Sequence, residues 1–193
     1  MPNSNTEAYI SVDIETAGPN PYDYSILSIG ACTIFEPQQS FYVELKPITN
    51  NSIPEALAIS SLSLEQLTEG GEEPAKALVR FESWVMEVTP DGHRPIFVAF
   101  NAPFDWMFVN DYFHRYLGRN PFGHTALDMK AYYMGLSSCS WYDTSMRNVG
   151  LRYLGDRQLT HHALSDALDQ AEIFKLMLEQ SRNQVDKVTK QID

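Results

Sequence analysis

Three apolar runs rich in β-branched and aromatic residues crowd the first 45 residues, at Ala8–Ile14, Ser25–Phe35 and Phe41–Leu45. Bracketed by polar residues and by breakers such as Gly18-Pro19-Asn20-Pro21, they read as strands, and Pro37-Gln38-Gln39 joins the second and third as a hairpin. The rhythm then changes. Short helices are expected over Pro54–Ile59 and Ser63–Leu67, where Ser63-Leu64-Glu65-Gln66 has capping-box spacing. Ala77, Phe81, Trp84 and Val85 recur at helical spacing within 72–87. A buried strand, Ile96–Phe100, leads to a helix over Phe104–Leu117, closed by Gly118. A short strand, Thr125–Leu127, leads to a helix over Met129–Met134. Helices over Ser145–Leu154 and from about Ala163 to Gln184 complete the chain, the last with a core-facing stripe of Leu164, Leu168, Ala171, Phe174 and Leu178. Strands that first follow one another and then alternate with helices predict an α/β fold, a mixed sheet with helices packed on it. At 193 residues one domain is expected, with its core over about 8–180 and frayed ends at 1–7 and about 185–193.

Several classes are disfavoured. No run of 18 apolar residues occurs, so no transmembrane helix is expected. Met1–Glu7 is polar and lacks the basic-then-apolar pattern of a signal peptide. Cys32 and Cys139 stand far apart and read as free thiols of a cytoplasmic protein. The net charge of −11 is unusual for a nucleic-acid binder, but it is unevenly spread. Residues 1–113 carry 16 acids and 4 bases, net −12, and residues 158–193 carry 6 acids and 4 bases, net −2. Residues 114–157 carry 6 bases and 3 acids, net +3. That middle stretch is either a chance fluctuation or a modest phosphate-contacting rim, and few phosphates could be neutralised in either case.

The chemistry begins where the first strand ends. In Val12-Asp13-Ile14-Glu15-Thr16 two acids follow an almost wholly apolar run, and strand alternation points Asp13 and Glu15 to one face. Neighbouring carboxylates raise each other's pKa unless a positive charge lies between them, and hard divalent ions take such oxygen ligands. From this pair alone a solvated strand end is the commoner reading. A second acid, Asp105, opens the helix after Phe100-Asn101-Ala102-Pro103, where it also suits the helix dipole. Phe104 and Trp106 flank it, as base-stacking rings or as core. A third group, His161-His162-Ala163-Leu164-Ser165-Asp166, heads the last helix and offers imidazoles for general-base work beside an acid.

In this order the three motifs resemble the DEDD exonuclease superfamily, histidine subgroup, which includes the proofreading subunit of bacterial DNA polymerase III, oligoribonuclease and ribonuclease T. The resemblance runs from residue 8 to about 180. It is nearest to ribonuclease T in Asp13-Ile14-Glu15-Thr16-Ala17-Gly18, Pro54-Glu55-Ala56-Leu57-Ala58 and Asn120-Pro121-Phe122. Phe100 departs from it, since several relatives carry histidine before the asparagine. The resemblance implies a ribonuclease-H-like fold with a five-stranded mixed central sheet. It implies two divalent cations, Mg²⁺ or Mn²⁺, held by Asp13, Glu15, Asp105 and Asp166, with His161 as general base. Thr16 would hold the 3′-terminal nucleotide, and Phe104, Trp106 or Tyr24 would stack the last bases.

One conflict is visible. On a helix His161 would lie about 140° from Asp166 and His162 only about 40° away, so helical geometry favours His162. The resemblance favours His161, which must then sit on the entry loop. The expected reaction is removal of nucleoside 5′-monophosphates from the 3′ end of single-stranded DNA or RNA, or of a 3′ overhang. A phosphodiesterase acting on dinucleotides or other short oligonucleotides suits the acidic surface, and a non-catalytic nucleic-acid-binding module is the third reading. Ribonuclease T and oligoribonuclease are similar proteins that work as dimers, which leaves a homodimer open.

Overall fold

The computed structural model describes residues 6–155, 157 and 160–192, with side chains described as far as Val185. Strand β1 (Glu7–Thr16) lies at the centre of a five-stranded sheet of order β3-β2-β1-β4-β5. β2 (Ile26–Thr33) pairs antiparallel with β1, and β3 (Ser40–Glu44) antiparallel with β2, which is the expected hairpin. β4 (Arg94–Ala99) and β5 (Ala126–Asp128) run parallel to β1. The sheet is mixed because short turns reverse the first strands, whereas the later ones return through helices. The parallel pairing brings the C-terminal ends of β1 and β4 to the same edge, the usual place for ligands in open α/β sheets.

Helices cover both faces. Between the sheet's first three strands and β4 come α1 (Pro54–Ser60), α2 (Leu64–Gly70) and α3 (Pro74–Val88). Ser63 caps α2 by accepting from the Gln66 backbone N–H, as the sequence predicts. α4 (Ala102–Leu117) follows β4. Ile10, Val12 and Ile14 of β1 pack against Phe81 and Val85 of α3 and Phe108 and Phe113 of α4. The opposite face packs Cys32 and Val98 against α5 (Met129–Ser137), α6 (Met146–Leu154) and α7 (Ala163–Ile192). A 3-10 turn, Trp141–Thr144, links α5 to α6.

Two expectations need correction. The buried residues of α7 are Ala163, Asp166, Ala167, Gln170, Ala171, Ile173, Phe174 and Met177; of the expected stripe, Ala171 and Phe174 are buried, and Leu164, Leu168 and Leu178 are partly buried, the last two at the edge of a core cluster. The buried alanines are small enough to let α7 lie close to the sheet. α7 also runs to Ile192, past the expected helix end at about Gln184, and the expected frayed start over 1–7 lies mostly outside the described residues.

Candidate active site

β1 extends two residues past the predicted strand end, so Asp13 and Glu15 stand within the sheet ladder opposite Gly30 and Ser28 of β2. Val12 and Ile14 point into the core, and the two acids take the face covered by α7. Gly30 decides how closely α7 can approach. A Cβ there would lie 2.2 Å from the Ala163 carbonyl carbon and the Leu164 nitrogen, both backbone atoms. The bare glycine lets the start of α7 rest on β2 directly beside Asp13.

That contact delivers the rest of the site. Asp166 is buried in the first turns of α7, and its Oδ1 accepts from the Thr160 backbone N–H at 3.2 Å, folding the entry loop back over it. Asp13, Glu15 and Asp166 each present a carboxylate oxygen such that all three lie within 4.8 Å of one another. His161 has a left-handed backbone (φ 51°) and belongs to the loop, not the helix. It lines a cleft of about 220 Å³ with Asp13, Glu15, Asp166, Phe100, Met146 and Gln170. His162 turns the other way and stacks on Tyr42, with ring centroids 4.7 Å apart. The structure therefore brings His161, and not His162, to the carboxylates.

Asp105 stands apart from the three-carboxylate group. It is buried at the start of α4, and its Oδ1 accepts from the Ile14 backbone N–H at 3.2 Å, between the two acids of β1. β1 has already left its ladder with β4 at Ser11, so the Ile14 amide has no strand partner on that side. Asn101, in the left-handed region (φ 63°), turns the chain from β4 into α4 and sets Asp105 at this position.

The charges are unbalanced. Burial, then the charges of Asp105, Asp166 and Glu15, hold the Asp13 carboxyl well above the usual carboxylate range. Burial and Asp166 push Glu15 up to about 7, and burial pushes Asp105 up to about 8. Asp166 is raised chiefly by burial, against the Thr160 amide, which lowers it. Among the described residues no lysine or arginine lines the cleft. A cluster of hard oxygen donors with excess negative charge and no cation of its own fits divalent ions of the Mg²⁺ or Mn²⁺ type.

Gln170 is the functional residue that sequence reasoning missed. It is 2 % exposed; its Nε2 donates to Asp13 Oδ1 at 2.6 Å, and its Oε1 accepts from the Phe100 backbone N–H at 2.9 Å. The second bond fixes the amide orientation, so the NH₂ group must face Asp13. A signal existed: Gln170 follows Asp166 by four residues, on the same helix face, and is a polar residue within a buried stripe.

The proposed nucleotide-holding residues are placed differently from expectation. The Thr16 hydroxyl donates to the Gly18 carbonyl at 2.9 Å and braces the turn after β1. Trp106 packs edge-on against Phe97, at 5.2 Å, because its side of α4 faces the sheet. Phe104 packs on Phe108, at 5.4 Å, and Tyr24 lies over Gly18. None of these four lines the cleft, which instead has Phe100 and Met146 as its apolar wall.

Known proteins resemble this chain in sequence and in fold. The chain is 47% identical over 171 residues to the 3′-5′ DNA exonuclease Cap18 of Escherichia coli, covering 89% of this chain and 91% of that protein. It is 28% identical over 177 residues to ribonuclease T of Shewanella denitrificans, covering 86% and 77% of the two chains. The nuclease domain of 3′hExo, a DEDDh family member, superposes with a TM-score of 0.73 at 16% identity over 89% of this chain and 92% of that one. Escherichia coli exonuclease I superposes with a TM-score of 0.72 at 16% identity over 95% of this chain and 43% of that one. These neighbours share the mixed five-stranded, ribonuclease-H-like fold. The sequence model of the RNase T exonuclease family spans residues 10–174, from the strand that carries Asp13 to the helix that carries Asp166, and the chain belongs to that family.

Proposed function

We propose that the protein is a 3′→5′ exonuclease that hydrolyses the terminal phosphodiester of single-stranded nucleic acid, DNA foremost, and releases nucleoside 5′-monophosphates. The observation that carries this reading is the convergence of Asp13, Glu15 and Asp166 within 4.8 Å beside His161. DNA is preferred in this reading because the relative at 47% identity is a DNA exonuclease, whereas the ribonuclease T relatives stand at 28–29%. Asp13, Glu15 and Asp166 would hold two divalent cations, with Asp105 supporting the site from behind the Ile14 amide. Such ions supply a water of lowered pKa and neutralise charge that develops on the phosphate.

The side chains of the protein do the rest. Gln170 holds Asp13 by a hydrogen bond to its Oδ1. His161, on the open loop, takes a proton from the attacking water on a ring nitrogen. Water adds to the phosphorus as the bond to the leaving 3′ oxygen breaks. The leaving 3′ oxygen gains a proton from solvent and becomes the 3′ hydroxyl of the shortened strand, while the released nucleotide keeps the 5′ phosphate. Cys32 and Cys139, both free thiols, suit a reducing cytoplasm.

The test uses 5′-labelled single-stranded DNA and RNA of one sequence with Mg²⁺ or Mn²⁺. A ladder shortening from the 3′ end, absent with EDTA and in Asp13→Ala, is expected, with DNA cut faster. No ladder from a folded protein on either strand would overturn the exonuclease reading.

A further inference from the structure

The bases of the middle stretch divide sharply once their partners are known. Arg115 pairs with Asp111, Arg119 with Glu82, and Arg157 with Asp169 and Glu172. Lys130, Arg147 and Arg152 form no ion pair among the described residues, and all three lie on α5 or α6. Residues 129–154 hold these three bases and one acid, Asp143, for a net charge of +2; the other residues of the chain then sum to −13. Three bases without an ion pair among the described residues and a single acid thus share this one unit of an otherwise acidic protein.

The same unit presents aromatic surface. Trp141 and Tyr142, in the 3-10 turn between the helices, are 53% and 88% exposed. The Lys130 Nζ lies 4.3 Å from the Trp141 ring centroid, and buried Thr144 ties the turn down by donating to the Trp141 carbonyl. Tyr142 stands free beside it. The acid of the unit, Asp143, accepts from the Ser140 hydroxyl at 2.6 Å. The unit adjoins the cleft, because Met146, the first residue of α6, is part of the cleft wall.

We infer that the face formed by α5, the 3-10 turn and α6 carries the nucleotides of a single-stranded substrate that lie outside the cleft, stacking bases on Trp141 and Tyr142 and meeting phosphates with Lys130, Arg147 and Arg152. Aromatic rings interleaved with unpaired bases are what a sequence-tolerant single-strand surface requires. This inference rests on the exonuclease reading for the direction of the strand, but its binding test does not depend on hydrolysis.

Binding of 5′-fluorescein-labelled single-stranded DNA of 4 and 20 nucleotides is measured by anisotropy in EDTA. In Trp141→Ala/Tyr142→Ala the 20-mer should bind about tenfold more weakly, with 4-mer affinity unchanged and thermal stability retained. In Arg147→Gln/Arg152→Gln the slope of log affinity against log salt for the 20-mer should flatten by about 0.7 per base removed. Unchanged 20-mer affinity in the aromatic variant would overturn the inference, and so would an equal loss for both lengths. A wild-type protein that binds the 20-mer through this face yet cuts nothing with Mg²⁺ would leave the surface standing and sink only the exonuclease reading.

Discussion

Gly30 stands directly opposite Asp13 in the β1–β2 ladder, and the backbone of Ala163 and Leu164 occupies the space its side chain would fill. One missing Cβ thus sets the distance between the strand that holds two acids and the helix that holds the third. Gly30→Ala should push the start of α7 off the sheet. The strain should cost about 1–3 kcal/mol of stability. Displacing Asp166 by even about 1 Å should lower kcat by about 100-fold where the protein remains folded. Thermal denaturation and single-turnover cleavage at one temperature separate the two effects; normal cleavage in this variant would show that α7 need not lie so close.

If Asp13 holds the ions as proposed, Gln170 bears on them through its bond to Asp13, and its loss should appear as weakened ion binding before lost chemistry. In Gln170→Ala the Mg²⁺ or Mn²⁺ concentration for half-maximal activity should rise about 10–100-fold, with much of kcat recovered at saturating ion. Calorimetric titration with Mn²⁺ should report the same loss without substrate. A fall in kcat with unchanged ion dependence would contradict this role.

The carboxyl groups predict how stability responds to pH without divalent ions. Glu15 and Asp105 titrate near 7 and 8 in the folded chain, against about 4 when unfolded. Between those values the folded state holds protons that the unfolded state has lost. The cost of burying these charges is absent below about pH 4 and complete above about pH 8, so stability falls as pH rises through this window. In EDTA the melting temperature should decline from about pH 5 to 8, and Mg²⁺ should raise it more at the upper end. Asp13→Asn, which removes one of the crowded charges, should raise the melting temperature in EDTA near pH 8 while abolishing cleavage. A flat profile in EDTA would mean the carboxylates are not in conflict.

The two adjacent histidines should behave very differently. His161→Ala is expected to lower kcat by about 10²–10⁴-fold, the usual worth of a general base. His162→Ala removes only the stack on Tyr42 and should leave kcat within a few-fold of the parent. Comparable losses in the two variants would assign the base wrongly.

Much of this protein is local and therefore visible in sequence. Strand alternation in β1 puts Asp13 and Glu15 on one face, and apolar runs of strand or helical length mark the order of the elements. The spacing of the three acidic motifs follows the chain itself. Other features depend on where distant segments meet. Helical geometry pointed to His162, but a left-handed residue at His161 takes that position off the helix and reverses the two rings. Trp106 reads as a stacking ring beside an acid, yet the packing of α4 on Phe97 turns it to the core. Gln170 and Gly30 carry no motif, because their importance lies in a hydrogen bond across 157 residues and in a backbone crossing. The sequence by itself determined the family, the order of the elements and which carboxylates are candidates, since side-chain type and local period are written in it. Only the tertiary structure decided which of them touch, since that depends on how closely α7 can settle on the sheet.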